Sequence, residues 1–350
     1  MLDFSRQSGR RTARVAAALA VATLALSACG SNQSTTHSSA TPTPSASASA
    51  SMSASPSVSP SASATPTKAA KVITSLDAIT VKGDAGKQPT VTAAWPIAIA
   101  KTQSKVLKAG SGRQVASGST LSINYVGIDA RTGKTFDSSF SRGQAATFSL
   151  SQVIAGFQKG LVGHKVGDRV LVMMPGSDGY DSSGGNAQAG ILKGDSLIFV
   201  VDILDVAYTE ASGTTVTPAA GLPKVTMKDG VPQLTIGKAT KPSTLVVQPL
   251  IKGSGAKVTA TDTLLVKYRS WAWSTGKVID EGYTSAGIQG QLSSTISAWK
   301  KGLVGQTVGS RVLLIAPPSE AYPDGDPSAS ISKGETLVYV IDILMATKTS

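Results

Sequence analysis

The sequence predicts an α+β fold that occurs twice, each copy a curved antiparallel β-sheet wrapped around a short α-helix. The first observation is a repeat, since VIAGFQKGLVGHKVGDRVLVMM at 153–174 returns as TISAWKKGLVGQTVGSRVLLIA at 295–316. Asp202 and Asp342 hold the same place in their last strands, which supports the register of the two copies. The second observation is alternation of apolar and polar residues in segments such as 120–126, typical of half-buried strands.

The central helix of each copy is predicted from its caps and its apolar face. In the first copy Ser151 is a candidate N-cap, because its hydroxyl can accept a backbone N–H that the first turn leaves free. Gly160 is expected to end this helix in the left-handed conformation. Ser293 or Ser294 would be the N-cap of the second helix. The apolar face of the first helix contains Val153, Ile154, Phe157 and Leu161.

The start of the chain has the parts of an export signal. Four arginines lie within the first 14 residues, residues 15–26 are apolar, and LSAC follows at 26–29. This pattern resembles a bacterial lipoprotein signal, in which the cysteine is lipidated and becomes the new N-terminus. We therefore predict a signal peptide at 1–28, membrane lipid bound through Cys29, and an extracytoplasmic chain anchored to the cell membrane. The alternative is a plain secretory signal with an incidental cysteine.

Composition divides the rest of the chain into a tether, two folded units and a linker. Residues 29–74 are rich in Ser, Ala, Thr and Pro. Such a segment buries too little apolar area to offset chain entropy, which predicts a disordered tether. The first folded unit is expected at 75–208, the linker at 209–220 and the second unit at 221–347.

The residues present argue against several classes of chemistry. The formal net charge is +12, but Lys and Arg form no long run with interleaved aromatic residues, which argues against nucleic-acid binding. His37 and His164 are the two histidines and Cys29 is the one cysteine. Neither a Ser-His-Asp triad nor a zinc site is therefore indicated. No glycine-rich phosphate loop opens a helix, and we expect no metal and no cofactor.

After these exclusions the sequence points to a pocket with few side chains that could act as acid or base, which suits chemistry that breaks no covalent bond. Its single carboxylate is Asp137. The ordered motifs NYVG at 124–127, GKTFDSS at 133–139, VIAGF at 153–157 and LIFVVDIL at 197–204 give the chain a family likeness. The sequence resembles the FKBP-type peptidyl-prolyl cis-trans isomerases, the tacrolimus-binding immunophilins.

The resemblance implies a role for each pocket residue. Asp137 and Tyr180 would supply the polar contacts, with Tyr180 donating to a substrate carbonyl. Ile191 and Leu192 would border the pocket from a long loop, and the backbone N–H of Ile154 would donate to a bound peptide. The residues that would enclose the proline ring are Tyr125, Phe136, Val153, Ile154, Phe157 and Phe199.

The first unit departs from the family pattern at three places. The floor residue, most often tryptophan in the family, is Phe157 here. Ala146 stands where a second phenylalanine is usual, and Lys193-Gly194 replaces a usual pair of prolines. These changes are expected to widen the pocket or soften its rim.

The second unit keeps the motif less completely. Ile279 stands at the position of Phe136 and Gly290 at that of Phe148, whereas Trp299 restores the usual floor residue. We therefore predict that the first unit is the main catalyst, and the activity of the divergent second unit is left open. Its matching residues are Tyr268, Asp280, Ile296, Trp299, Tyr322 and Tyr339.

The resemblance implies rotation of X–Pro bonds in exported proteins, with no covalent intermediate. The implied partners are proline-containing polypeptides, and macrolides of the tacrolimus class as inhibitors. The alternative function is a non-catalytic, polypeptide-binding chaperone lipoprotein that uses the same grooves. A third interpretation is a structural envelope lipoprotein with vestigial pockets.

Overall fold

The computed structural model describes residues 69–283 and 286–348. The predicted signal peptide, Cys29 and the tether up to residue 68 lie outside the described residues. Within the described ranges, no helix has both the length and the hydropathy that crossing a bilayer requires. Two α+β copies with mostly antiparallel sheets follow each other along these residues, so the predicted fold class is confirmed.

The first copy, domain 1, has a six-stranded antiparallel sheet, a short helix and an N-terminal extension. Its elements are β1 (Lys71–Ile73), β2 (Thr80–Lys82), β3 (Thr90–Thr92), β4 (Ile97–Ile99), β5 (Gln103–Lys108), β6 (Thr120–Asp129), β7 (Thr135–Ser138), β8 (Ala146–Ser149), α1 (Ala155–Leu161), β9 (Arg169–Met174), β10 (Gly185–Asn186), β11 (Ile191–Leu192) and β12 (Leu197–Val206). The strand order is β5-β9-β12-β6-β7, and β8 also pairs with β6. The long strands β6 and β12 are almost wholly buried, and α1 packs against β9.

The second copy, domain 2, repeats this plan in a seven-stranded sheet. Its elements are β13 (Gly213–Thr215), β14 (Lys224–Lys228), β15 (Val231–Thr235), β16 (Val246–Gly253), β17 (Asp262–Ala272), β18 (Val278–Glu281), β19 (Ile288–Gln291), α2 (Ser297–Leu303), β20 (Arg311–Ala316) and β21 (Leu337–Lys348). The strand order is β13-β16-β20-β21-β17-β18, and β19 also pairs with β17. The added strand β13 lies within the predicted linker 209–220, so part of that segment belongs to the domain 2 sheet.

Both helices begin later than predicted. Ser151 lies in a 3₁₀ turn in which its backbone N–H donates to Ser149 Oγ at 3.3 Å. The helix α1 starts after Ile154, which makes no side-chain cap bond. The prediction of Ser151 as N-cap is wrong, because the serine hydroxyls stabilise the preceding turn instead. Ser293 and Ser294 lie in the equivalent 3₁₀ turn of domain 2, so that N-cap prediction is wrong as well.

Gly160 lies inside α1 and does not end it. A Cβ at this position would lie 2.4 Å from Cγ1 of Val172, so the glycine permits close contact between helix and sheet. The chain leaves the helix at Val162, and Gly163 adopts the left-handed conformation with φ of 91°. The predicted stop is therefore displaced by three residues.

An N-terminal extension covers the outer face of each sheet. In domain 1, β1 pairs with β4 and β2 with β3, and Ile73, Leu76 and Ile99 pack on the outer side chains of β6, β9 and β12. The hairpin β14–β15 packs in the same way against Trp271 and its neighbours in domain 2. Because Ile73 is buried, residues 71–74 belong to the folded unit, and the predicted end of the tether at residue 74 is wrong.

A buried ion pair ties the last strand of each domain to its neighbour. Arg169 lies opposite Asp202 in the ladder, with two hydrogen bonds of 2.6 and 2.7 Å. Arg311 and Asp342 repeat this pair at 2.7 and 2.8 Å. Each carboxylate also accepts one backbone N–H from the segment that precedes its sheet, at 2.7 Å in domain 1 and 2.9 Å in domain 2. The equal placement predicted for Asp202 and Asp342 is confirmed.

Candidate active site

Five aromatic rings form a connected cluster beside α1 in domain 1. Phe199 lies at its centre, with its ring centroid 4.7 Å from that of Phe157 and 5.6 Å from that of Phe136. Tyr125 lies 6.2 Å from the same ring, and Phe148 meets Phe157 edge-on at 5.7 Å. Tilted and edge-to-face contacts of this kind are the arrangements that aromatic side chains prefer. Phe157 is 8% exposed and Phe199 3%, so the floor of the cluster is apolar and largely closed to water.

The single carboxylate of this pocket is held by two donors. The Tyr125 hydroxyl and the Arg142 guanidinium both make short hydrogen bonds to Asp137. Arg142 also donates to the Tyr125 hydroxyl oxygen at 3.1 Å. Burial, helped by the neighbouring carboxylate, raises the pKa of Tyr125 to about 12, so this hydroxyl keeps its proton at neutral pH. The result is a polar rim with a fixed orientation beside an apolar floor.

Two further donors belong to residues that pack on the same cluster, Tyr180 and Ile154. Tyr180 is half-buried against the aromatic cluster, and burial together with the charge of Asp137 raises the pKa of its hydroxyl. Within residues 69–283 and 286–348, no side chain or backbone group accepts a hydrogen bond from that hydroxyl or from the N–H of Ile154. Val153 and Ile154 pack on the cluster just before α1.

The loop side of the pocket is formed by β11. Ile191 is 2% exposed and belongs to the same apolar cluster, whereas Leu192 is 57% exposed. The structure thus brings together the nine residues predicted for the first site, and their catalytic roles stay predictions. These residues are Tyr125, Phe136, Asp137, Val153, Ile154, Phe157, Tyr180, Ile191 and Phe199.

Arg142 was missed by the sequence reasoning. It lies in the connection between β7 and β8, five residues after Asp137, and its side chain is 49% exposed. It is the one basic residue between positions 135 and 158. A lone cation so close to a lone pocket carboxylate was the signal that could have identified it.

Domain 2 places its matching residues in the same way but with fewer rings. Trp299 meets Tyr268 edge-on at 5.0 Å and Tyr339 at 5.8 Å. The Tyr268 hydroxyl donates to Asp280 in a short hydrogen bond, as Tyr125 does to Asp137. The half-buried residues that pack on this core include Ile279, Ile296 and Tyr322.

Two features separate the domain 2 pocket from that of domain 1. The sequence from Asp280 to Leu292 contains no Arg or Lys, so the connection that carries Arg142 in domain 1 has no basic residue in domain 2. Gly290 supplies no ring where domain 1 has Phe148, and a small hollow lies beside Trp299. This hollow is lined by Leu264, Val266, Gly290, Leu292, Thr295 and Trp299.

Comparison with known families decides the identity of this fold. The family model described as FKBP-type peptidyl-prolyl cis-trans isomerase matches residues 111–204 and 254–344, more than half of the chain. The chain belongs to the FKBP family. Members of the family bind proline-containing peptides and macrolides, and this FKBP is a peptidyl-prolyl cis-trans isomerase with two FKBP domains. The extensions that cover the outer faces of the sheets lie outside the matched ranges.

Individual relatives match this FKBP over about the length of one domain. A probable FK506-binding protein of Corynebacterium glutamicum is 38% identical over 95 residues, which are 27% of this chain and 78% of that protein. An FK506-binding protein of Streptomyces anulatus is 38% identical over 99 residues, 28% of this chain and 79% of the relative. The FKBP-type isomerase FkpA of Escherichia coli K12 is 36% identical over 104 residues, 29% of this chain and 36% of FkpA.

Proposed function

We propose that domain 1 is the main catalyst of this isomerase and that its aromatic cluster is where the X–Pro bond rotates. One observation carries the proposal: a closed floor of Phe157 and Phe199 lies beside a carboxylate, Asp137, whose hydrogen bonds are already made within the protein. The floor offers the proline ring an apolar surface. The rim gives the rest of the peptide polar groups of fixed position.

The proposed mechanism depends on the difference between the planar and the twisted amide. Amide resonance sets a rotation barrier of about 18–20 kcal/mol. In the twisted transition state conjugation is lost, and the amide carries less charge separation than in the planar form. A site with little water favours the twisted form over the planar one, and only such a difference accelerates the reaction. Because Asp137 is engaged by Tyr125 and Arg142, we assign it a positioning role and not that of a base.

The two available donors would hold the substrate in the reactive shape. The Tyr180 hydroxyl has a raised pKa and so remains a donor at neutral pH. We assign it to a substrate carbonyl, and the N–H of Ile154 to a second one. Two such bonds would restrict the peptide to a turn-like conformation while the X–Pro bond twists, which lowers the entropic part of the barrier.

We further propose that the substrates are exported proteins and that the chain is extracytoplasmic, anchored to the cell membrane by a lipid on Cys29. The support is the order of features at the N-terminus: basic residues, an apolar stretch at 15–26 and LSAC at 26–29. The Ser- and Pro-rich segment that follows would hold the two folded domains away from the lipid surface.

The pocket assignment is tested with a proline tetrapeptide and the full chain. The variant Phe136→Ala combined with Tyr180→Phe is expected to lower kcat/KM for cis-to-trans conversion by at least about tenfold. The loss reflects one aromatic contact, about 1.5–3 kcal/mol, and one hydrogen bond. An unchanged rate, with far-UV circular dichroism equal to that of the wild type, would contradict the assignment.

The anchoring proposal has its own test. Cells that express the full chain are grown with a radiolabelled fatty acid and fractionated. The wild-type protein is expected to carry the label and to sediment with the membranes. The variant Cys29→Ser is expected to lack the label, and a labelled or equally membrane-bound variant would contradict lipidation of Cys29.

One observation favours a second function for domain 2. Ile279 and Gly290 replace two of the rings of domain 1, and the carboxylate Asp280 has no neighbouring arginine in the sequence. A pocket that keeps an apolar surface but loses its fixed rim would bind polypeptides without accelerating rotation. Suppression of client aggregation by a chain with Phe136→Ala and Tyr180→Phe, which has little isomerase activity, would support this chaperone function.

A further inference from the structure

In the described part of the chain, the edge strand β5 of the domain 1 sheet has one side free, whereas the equivalent strand β16 of domain 2 has a further strand beside it. Within the described residues, β5 pairs with β9 alone and is the first strand of its sheet. Five of its six residues are exposed. The equivalent strand β16 pairs with β20 on one side and with β13 on the other, and most of its residues are at least half-buried.

Domain 2 blocks this edge by two devices. The strand β13 pairs residues 213–215 with residues 251–253 in antiparallel register. Further along β16, Pro249 lies opposite Val312, directly before the register shift of that ladder. A proline is compatible with a strand where its missing N–H would face away from the ladder. Added strands and prolines are both devices that protect a sheet edge against unwanted pairing.

Domain 1 has neither device. Val106 lies opposite Val170, just as Pro249 lies opposite Val312, and the same register shift follows in both ladders. Val106 is thus the counterpart of Pro249, a position whose ladder in domain 2 forms without a backbone N–H. Val106 is 42% exposed and its neighbour Leu107 is 37% exposed.

The N-terminal extension reaches only the first half of β5. Gln103 donates to the carbonyl of Thr74 at 3.2 Å, and Lys105 pairs with Asp77 at 2.5 Å. The second half, residues 106–108, has no such contact in the part of the chain that the structure describes. Lys108 ends this half and has no ion-pair partner among the described residues.

We propose that the second half of β5 binds an extended segment of an unfolded client polypeptide by strand addition. The backbone of the client would continue the ladder, apolar side chains would cover Val106 and Leu107, and an acidic residue would pair with Lys108. The proposal rests on the proposed function in one respect, since the client is taken to be a chain with prolines for the pocket. Binding at the edge would raise the local concentration of those prolines at the active site.

Charge and composition favour a client over the two other possible occupants. Self-pairing of two copies through residues 106–108 would bring Lys108 of each strand, unpaired among the described residues, near that of the other, which like-charge repulsion disfavours. The chain's own segment 30–67 contains no Asp or Glu to meet Lys108 and has few large apolar residues. An unfolded client with mixed apolar and acidic residues meets both requirements.

The test transfers the domain 2 device to domain 1. The full chain with Val106→Pro is compared with Val106→Ala, which keeps the N–H. The probe is reduced, carboxymethylated α-lactalbumin, a permanently unfolded acidic protein, with its Kd measured by fluorescence anisotropy. Loss of one backbone hydrogen bond is expected to weaken binding about threefold to tenfold in Val106→Pro and less than twofold in Val106→Ala. Isomerisation of a proline tetrapeptide, measured in parallel, is expected to stay within twofold of wild type.

Several outcomes would overturn the proposal. The first is a Val106→Pro chain that binds the probe as tightly as the wild type does. The second is a loss of affinity in Val106→Ala equal to that in Val106→Pro. The third is a wild-type dimer in sedimentation that Val106→Pro dissociates. If Val106→Pro fails to fold, hydrogen exchange of residues 103–108 in the wild type decides. Protection on adding the probe supports strand addition, and unchanged exchange refutes it. A wild type that binds the probe but does not isomerise the tetrapeptide would contradict the proposed function and leave the edge proposal standing.

Discussion

Domain 1 and domain 2 share a sheet order, a short helix and a buried Arg–Asp pair, but they build their pockets from different side chains. Domain 1 packs Phe148 against the floor ring Phe157. Domain 2 has the larger Trp299 on the helix and Gly290 on the strand, with a small hollow between them. Compared with domain 1, domain 2 has a larger aromatic residue on the helix and none at this position of the strand. The hollow shows that the larger helix residue does not fill all the space of the missing ring. The comparison shows that the same framework accommodates different side chains in its pocket.

A second exchange shows how closely helix and sheet are matched. In domain 1, a Cβ on Gly156 would lie 2.1 Å from Sδ of Met174. Domain 2 has Ala298 and Ala316 at these two positions, both fully buried. A larger residue on the helix therefore goes with a smaller one on the strand, which keeps the packing density constant.

The largest expected effect comes from giving domain 1 the glycine of domain 2. Phe148→Gly removes a half-buried ring from the floor and is expected to lower the free energy of unfolding of domain 1 by about 2–4 kcal/mol. Hydrogen exchange of the α1 and β9 peptides in increasing denaturant measures this for domain 1 alone. Phe148→Leu, which keeps most of the apolar volume, is the control and should recover at least half of the loss. A loss below about 1 kcal/mol for the glycine variant would show that the ring does not support the floor.

The next effect tests the matched pair of helix and strand. Gly156→Ala is expected to cost domain 1 about 1–3 kcal/mol through overpacking against Met174. The double variant Gly156→Ala with Met174→Ala recreates the domain 2 pair, and its loss should be smaller than the sum of the two single losses. The same exchange measurement yields all three values. Strict additivity would mean that the two positions are not coupled.

The smallest effect concerns the polar rim and its pH dependence. The pKa of Tyr125 is raised to about 12 in the folded domain, against about 10 in the unfolded chain. Its contribution to stability is therefore complete below pH 10 and is lost as the pH rises through 12. Tyr125→Phe should be less stable than wild type by about 0.5–1.5 kcal/mol at pH 9, because a hydrogen bond is lost.

That difference should shrink as the pH rises from 10 to 12, since only the wild type carries the ionising hydroxyl. Unfolding of both proteins in guanidinium chloride at several pH values measures it. Tyr208→Phe is a control outside the pocket, and its difference from wild type should not follow this profile. A difference for Tyr125→Phe that is constant across the range would contradict the assigned burial of the hydroxyl.

Much of the architecture was readable from the sequence because the chain repeats itself. Two copies of KGLVG and of the RVL strand fixed the register, and the apolar spacing placed Phe157 and Trp299 on the helices. The pocket residues of domain 1 were grouped through the resemblance of their ordered motifs to the FKBP family, and they lie together in the structure. The predicted helix starts were wrong because the serines lie in short 3₁₀ turns. The residue spacing in such a turn does not differ from that in the first turn of an α-helix.

Three features depended on long-range contacts that local patterns do not show. Ile73 joins the folded unit only through its packing on the outer face of the sheet, and β13 forms only because β16 offers it an edge. Arg142 is half-exposed in a connection between strands, where a basic residue is by default a solvated one. Its place in the pocket follows from the tertiary position of Asp137.

The central claim is that the pocket of domain 1 performs the isomerisation, and one comparison tests it most directly. Two full-length chains are assayed with the same proline tetrapeptide: Phe136→Ala with Tyr180→Phe in domain 1, and Ile279→Ala with Tyr322→Phe in domain 2. We expect the first to lose at least about tenfold in kcat/KM and the second to stay within twofold of wild type. The reverse result, or an equal loss in both chains, would contradict the claim.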